Sequence, residues 1–517
     1  MLLIDFFKQG VVKYPGRVCV TDGELTYTFA EIDAHCEAGA QALLRAGVLP
    51  GESIGVVSPN HPHVLSSQYL IQRAGTVWVP LNYRNPTEEN VRHAVKLDCV
   101  WLFYHSSLSD QATALLEQSP AMKGAVCLDK SDGDRPYILD WLSQPGEPVA
   151  FPDTRMDDVV CILSSGGTTG ASKGVVHNSH SFGVMTASFY ATMHLDAPPV
   201  HLVVAPLTHA AGVLHWALLP LGTTTVIQNS TAAKDILTSI EKYKISVLFL
   251  PPTLIYMLLS EPDLKKYDYS SLRYFMYGAA PMSVEKLRLA AAAFGDVMMQ
   301  LYGQTECMMT MTVLTREDHV EILSDPALNH RIASAGRAGP FSHVEIMGED
   351  GKIISDGTPG EIVCRSGLLM VGYYKQPDET AASQLNGWHR SGDVGYKDPD
   401  GYIYLTDRKR ELIITGGFNV FPSEVEQALM SHHMVQDCAV VGAPDEKWGE
   451  RIVAAIEVRR GCILDVEELI AFCKGRIGSV KSPKQIEIWD KLPRSTVGKI
   501  LRREVRSKYW AEKVRQI

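Results

Sequence analysis
Apolar residues recur along the first 150 positions with two alternating periods. Thr28 and Glu31 stand at capping-box spacing, and Ile32, Cys36, Ala40, Leu43 and Leu44 then recur at helical period up to Gly47. The spacing predicts a helix there. Mainly apolar runs at 53–58, 76–81 and 99–104 predict buried strands. Further strands are predicted at 159–163, 202–205, 223–228 and 247–250. Strands interleaved with helices imply a parallel or mixed sheet covered on both faces.

The texture changes at Gly336. Short strand-like runs alternate with Gly348, Gly351, Gly357, Pro359 and Gly360, which predicts a compact β-rich subdomain. After Asp407 a new alternation begins, with a helix predicted at 423–430, a strand at 437–441 and a helix at 466–474. The fold expected is therefore α/β. A large N-terminal body (1–407) would hold two α/β sheets and a β-rich subdomain, and a small α+β domain (411–517) would follow a boundary at 408–410.

Composition narrows the classes. The chain has 517 residues, which at roughly 150 per domain allows about three to four domains. Hydrophobic residues make up 45%, enough to build cores and to exclude disorder as the main state. Lys and Arg total 49 against 59 Asp and Glu, a net charge of −10 that argues against nucleic acid or an anionic membrane as partner. The 10 cysteines are scattered singly, with no C-x-x-C, so neither a disulfide framework nor a structural zinc site is signalled and a cytoplasmic setting is expected. Met1–Gly10 is short and interrupted by Asp5 and Lys8, unlike a secretory signal, and no run reaches the ~18 apolar residues of a membrane span. The last residues, Val514-Arg515-Gln516-Ile517, are not a peroxisomal address.

The most informative segment is Ser164-Ser165-Gly166-Gly167-Thr168-Thr169-Gly170-Ala171-Ser172-Lys173-Gly174, which follows an apolar strand. Glycines let the backbone turn tightly against a ligand, hydroxyls and N–H groups donate to phosphate oxygens, and Lys173 adds positive charge. A flexible surface turn is the bland alternative, and the clustered hydroxyls and Lys173 weigh against it. A Walker A loop would need Ser or Thr after the lysine, where Gly174 stands. Gly170-Ala171-Ser172-Lys173-Gly174 formally matches the hydrolase elbow G-x-S-x-G. That elbow opens a helix directly from a strand, whereas Val175-Val176-His177 continues as apolar strand, so a serine hydrolase using Ser172 is the distant alternative.

Further segments join this loop. They are Leu25-Thr26-Tyr27, Ser58-Pro59-Asn60, Val79-Pro80-Leu81-Asn82, Pro206-Leu207-Thr208-His209-Ala210-Ala211-Gly212, Tyr277-Gly278-Ala279-Ala280-Pro281 and Tyr302-Gly303-Gln304-Thr305-Glu306. Later come Gly387-Trp388, Ser391-Gly392-Asp393, Asp407-Arg408, Gly416-Gly417-Phe418-Asn419-Val420-Phe421-Pro422-Ser423-Glu424 and Pro493-Arg494-Ser495-Thr496-Val497-Gly498-Lys499. In this order, over nearly the whole chain, they resemble the adenylate-forming superfamily of acyl-CoA synthetases, adenylation domains and luciferases. Two positions depart from it. Gly166 stands where Ser is usual and Ser172 where Pro is usual, which removes one hydroxyl donor and one rigid residue and bears on ATP affinity more than on the chemistry.

The resemblance implies an acid–CoA ligase that uses ATP, Mg²⁺ and coenzyme A. Lys499 would reach from a mobile C-terminal domain to the carboxylate and α-phosphate, and Glu306 would ligate Mg²⁺. Ser165, Gly166, Gly167, Thr168, Thr169, Gly170, Lys173, Gly278, Ala279, Ala280, Tyr302, Thr305, Asp393 and Arg408 would surround the nucleotide. In that set Tyr302 would pack on adenine and Asp393 would accept the ribose hydroxyls. Arg410 would be the hinge, Gly416 and Gly417 would line the pantetheine path, and Trp448 with the Lys481/Lys484 region would meet CoA.

The acyl pocket implied comprises His209, Ala210, Ala211, Leu254, Gly303, Met308 and Met309. No Asp stands in His209–Leu214 to pair with an ammonium, and no Lys or Arg near 303–311 to receive a second carboxylate. An apolar monocarboxylic acid, fatty or aryl, is the substrate expected. An acyl-AMP ligase loading a carrier protein is the alternative within the superfamily. A luciferase, or an adenylate-binding protein without turnover, is less supported. A homodimer is compatible with the resemblance.

Overall fold
The computed structural model describes residues 1–165, 173–408, 411–416, 418–445, 447–494 and 500–510. Among these the strands form four sheets.

The helix expected after Thr28 runs Phe29–Arg45. Its capping box is complete: Thr28 N–H donates to Glu31 Oε2 at 2.7 Å and Glu31 N–H donates to Thr28 Oγ1 at 3.3 Å. Gly47, with φ +78°, takes the left-handed turn beyond its end. The apolar runs become the interior of a seven-stranded sheet. Ser53–Val57, Val77–Leu81 and Cys99–Tyr104 pair in parallel and are buried along their whole length. This sheet continues through Val159–Ser164 into the antiparallel strands Gly174–Asn178 and Gly372–Tyr373.

A nine-stranded sheet is parallel through its centre, where Val200–Val203, Val247–Leu250, Tyr274–Gly278 and Met298–Tyr302 lie side by side. The strand expected at 202–205 is displaced to Val200–Val203. The Val204 and Ala205 carbonyls instead accept from Asn60 Nδ2, at 3.3 and 3.1 Å. One continuous core joins both sheets, from Phe7 and Tyr69 to Trp216 and Met308. It reaches Ile362 and Ile403 of a five-stranded antiparallel sheet spanning Ser342–Met347 to Ile403–Arg408, the β-rich subdomain expected after Gly336.

The fourth sheet belongs to the C-terminal domain. Val435–Asp445 and Gly449–Val458 form a long antiparallel pair, and Gln485–Ile488 adds in parallel. The first of these outruns the expected 437–441, because cross-strand pairing carries it through Pro444 and Asp445. The helix expected at 466–474 extends as Val466–Lys481, and Gly478, at φ +76°, breaks it with a kink. Among the described residues no helix is long and apolar enough to cross a membrane.

Candidate active site
Four neighbouring parallel strands of the nine-stranded sheet end on one edge. From Val200–Val203 the chain leads to His209, from Val247–Leu250 to Leu254, from Tyr274–Gly278 to Ala279 and Ala280, and Met298–Tyr302 ends on Tyr302 itself. The carboxyl edge of a parallel sheet is where α/β proteins bind ligands. The glycine-rich loop leaves the carboxyl end of Val159–Ser164 in the neighbouring sheet.

That loop is closed at its base. Ser164 pairs with Gly174, Ser165 N–H donates to the Lys173 carbonyl at 2.8 Å, and Lys173 N–H donates to Ser165 Oγ at 3.1 Å. Gly166, Gly167, Thr168, Thr169, Gly170 and Ser172 lie outside the described residues, as do Arg410, Gly417 and Lys499. Lys173 is ion-paired with Glu379, and its ammonium lies 4.6 Å from the centre of the Tyr373 ring.

Asp393 and Tyr302 are brought together. The Tyr302 hydroxyl donates to Asp393 Oδ2 at 2.7 Å, and Gln304 Nε2 donates to the same oxygen at 2.8 Å and to the Ser391 carbonyl at 2.8 Å. Burial, and then the Asp393 charge, push the Tyr302 phenol well above its ordinary value, so it stays a donor. The backbone of Asp393 is in register with that of Arg408 across the strand pair.

Thr305 and Glu306 are clamped from two sides. His177, buried on the second strand of the hairpin, places Nε2 2.7 Å from the Thr305 carbonyl. A carbonyl only accepts, so this nitrogen carries the proton. Burial pushes the His177 pKa down to about 4. On the other side Met370 N–H donates to the Glu306 carbonyl at 2.8 Å, and the Tyr373 hydroxyl donates to Glu306 Oε1 at 2.9 Å.

Among the described residues no group of three or more His, Cys, Asp or Glu gathers as a metal cage. The single half-buried carboxylate of Glu306 fits a different ion. Mg²⁺ takes one or two carboxylates and completes its shell with phosphate and water.

His209 precedes the helix Ala210–Leu218. The residue is exposed, and desolvation by the surrounding protein lowers its pKa. Gly212 is required there, since a Cβ would run into the Leu207 carbonyl. Ala211 and Met308 are buried, and Ala210 and Met309 pack against the same core; Leu254 packs instead on the second core of the body. Backbone strain collects at this edge. Ala279 has φ +65° and Met309 φ +59°, in the region that L-residues avoid, and a Cβ at Gly303 would lie 2.6 Å from the Met309 nitrogen. In the C-terminal domain Gly416 N–H donates to the Trp448 carbonyl at 2.8 Å, and Trp448 is exposed. Lys481 pairs with Glu424, and Lys484 donates to the Ser479 carbonyl.

Several supporting residues carry no sequence signal. Asn60 stands in the sequence only as a member of the Ser58-Pro59-Asn60 motif, yet its buried amide accepts from Leu207 N–H at 2.8 Å and donates to three carbonyls, fixing the segment that leads to His209. His177, Tyr373 and Glu379 fall outside every motif, because their partners are distant in the chain.

A glycine-rich segment closed at its base, a buried carboxylate and a half-buried second one, brought together at the end of a parallel sheet, are the arrangement of an α/β ligand-binding site. The chain belongs to the AMP-binding enzyme family, matching it over residues 7–374 and matching the family's C-terminal domain over 424–499. It is an adenylate-forming enzyme of the AMP-forming acid–thiol ligase class. A medium/long-chain fatty-acid–CoA ligase of Mycobacterium tuberculosis is 32% identical over 94% of this chain and 86% of its own length. A feruloyl-CoA synthase of an Amycolatopsis species is also 32% identical, over 96% of both chains. An amide bond synthetase of Marinactinospora thermotolerans superposes with TM-score 0.88 at 29% identity, covering 98% of this chain and 100% of that one.

Proposed function
We propose that the chain joins an apolar monocarboxylic acid, fatty or aryl, to coenzyme A through an acyl-AMP intermediate. A carboxylate oxygen attacks the α-phosphorus of ATP, the bond to the bridging oxygen breaks, and pyrophosphate leaves. The CoA sulfur, having given up its proton, then attacks the acyl carbon and AMP departs with the electron pair. Bringing a carboxylate to a triphosphate opposes two anions, so the barrier is lowered mainly by placed charge. Lys173 and Lys499 supply it. Glu306 would hold Mg²⁺, which supplies further neutralisation of the phosphates. Asp393, held by Tyr302 and Gln304, accepts the ribose hydroxyls.

The observation that carries this reading is that side-chain contacts bring residues of three sheets together around the Tyr302–Glu306 segment: Asp393 through Tyr302 and Gln304, and the hairpin's Lys173 to Glu306 through Tyr373. Relatives named for a fatty acid and for feruloyl support both acid classes.

The test is AMP release across a panel of fatty, aryl and amino acids, with and without CoA. Release that needs both an apolar acid and CoA is expected. ATP-independent ester hydrolysis, or a preference for amino acids, would sink the reading. Lys499→Ala should cut acyl-AMP formation by on the order of 10² or more while sparing thioester formation from supplied acyl-AMP. Equal loss of both steps would remove Lys499 from its role.

A further inference from the structure
Tyr373 touches two of the site's charged groups at once. Its hydroxyl donates to Glu306 Oε1 at 2.9 Å, and its ring lies under the Lys173 ammonium, 4.6 Å from the centroid. Lys173 is paired with Glu379, six residues beyond Tyr373 in the chain. The backbone fixes the tyrosine itself. It pairs with Val175 across the edge of the hairpin, and its N–H donates to Thr380 Oγ1 at 2.9 Å. Just before it, Val371 N–H donates to the Val176 carbonyl and Met370 N–H to the Glu306 carbonyl, both at 2.8 Å. One short segment therefore grips the phosphate hairpin on one side and the Glu306 loop on the other.

We propose that Tyr373 is a positioning residue for the metal–triphosphate end of the nucleotide: its hydroxyl aims the Glu306 carboxylate and its ring seats the Lys173 ammonium. The inference rests on the nucleotide reading above. Glu306 has several rotatable bonds and is only half-buried. Mg²⁺ tolerates little deviation from octahedral geometry, so a carboxylate held by one directed bond serves it better than a free one. The ring gives Lys173 a second anchor besides Glu379.

The experiment is calorimetric titration of ATP into the full chain with no acid present, so that nothing turns over. It is run with excess Mg²⁺ and again in EDTA. Tyr373→Phe keeps the ring and loses the hydroxyl. It should reduce the Mg²⁺ enhancement of ATP affinity by about tenfold, the scale of one hydrogen bond to a charged group, and leave the EDTA affinity unchanged. Tyr373→Leu should weaken binding in EDTA as well, by roughly twofold to fivefold, through the lost cation–ring contact. Glu306→Gln should reproduce the Tyr373→Phe loss, and the double variant should add little to either. An unchanged Mg²⁺ enhancement in Tyr373→Phe overturns the inference and leaves the nucleotide reading standing. So does an equal loss with and without Mg²⁺, which is the mark of a merely structural side chain. A wild-type chain that binds no ATP in either condition overturns the reading and the inference with it.

Discussion

The body and the C-terminal domain bury their polar side chains with different emphasis, although the body too pairs Arg390 with Glu361 and Arg337 with Asp318. The body buries imidazoles. His63, His177, His201, His215 and His319 are enclosed, and desolvation pushes each one down, to about 3 for His63 and His215 and about 4 for the other three. They are neutral, and all but His201, whose buried Nδ1 has no partner, take neutral partners, such as Tyr69 and Thr225 on either side of His215. The C-terminal domain instead sets guanidiniums against carboxylates. Arg494 bridges Asp437 at 2.8 Å and Glu457 at 2.9 Å, Arg502 bridges Glu411 and Glu426, and Arg506 meets Glu450 at 3.2 Å. A buried neutral ring costs little if hydrogen-bonded, and that cost rises only when it is forced to charge. A buried ion pair costs little only while both members remain. The body should therefore be sensitive to acid, and the C-terminal domain to the loss of any one charge.

The sharpest break in this comparison is Arg494→Ala. Burial already outweighs Arg494 and raises the Asp437 pKa, so removing the guanidinium leaves two carboxylates facing each other with only the Cys438 N–H on Asp437 and the Leu492 N–H on Glu457 to offset them. The C-terminal domain should lose about 3–5 kcal/mol, the usual penalty for orphaning a buried charge. Hydrogen exchange should accelerate in the strands Val435–Asp445 and Gly449–Val458 and stay slow in Cys99–Tyr104 of the body. Arg494 also stands at the base of the 495–499 segment, where it bridges Ile500 and Leu501 N–H returns to the Pro493 carbonyl at 2.8 Å. Adenylation should fall with the domain's stability. Unaltered exchange in the C-terminal strands would show that the pair is not what holds them.

Acid should reverse the order. His177 titrates near 4 when folded and near 6.5 when free, so between these values the unfolded chain binds the extra proton. Its contribution is intact above pH 6.5 and is lost progressively as the pH falls to 4, to a total of about 3 kcal/mol. His177→Gln removes that titration. Denaturant midpoints followed from pH 7 to 4 should show a shallower decline in the variant, by up to about 1.4 kcal/mol per pH unit. An identical decline would clear His177 as the responsible proton acceptor. In both proteins the body's exchange protection should fail at higher pH than that of the C-terminal strands.

What the sequence allowed to be read follows from the range of each interaction. Strands of a doubly covered parallel sheet are continuous apolar runs, so Cys99–Tyr104 and Val247–Leu250 were legible to the residue. The capping box at Thr28 is local and was equally plain. In the C-terminal domain only 437–441 of the first long strand stands out, and its partner Gly449–Val458 carries no expectation at all, because Pro444 and Asp445 are strand residues only by virtue of Glu450 and Gly449 opposite. The site divides in the same way. Segments whose function lies in their own backbone, such as the hairpin and the Tyr302–Glu306 loop, stand out as contiguous motifs. Tyr373 and His177 do not. One partner is 67 residues away and the other 128, and nothing in a lone tyrosine or histidine announces either. Asn60 was visible only as a member of a motif, since its four bonds reach 144 to 168 residues along the chain.

The finest test of the comparison lies within the C-terminal domain itself, between a buried ion pair and an exposed one. Lys481 Nζ meets Glu424 Oε1 at 2.6 Å, tying the helix Val466–Lys481 to Pro422–Met430, but both side chains are about two-fifths exposed (42% and 38%). In water such a pair gains little Coulomb energy and costs side-chain freedom. Lys481→Gln should therefore cost only about 0.2–1 kcal/mol in the denaturant midpoint, and that difference should vanish in about 1 M salt, where the screening length is near 3 Å. The Arg494→Ala loss should persist in the same salt, because solvent ions do not enter between Arg494, Asp437 and Glu457. If salt erased both differences alike, burial would not be what separates the two pairs, and the domain would be held by surface charge throughout.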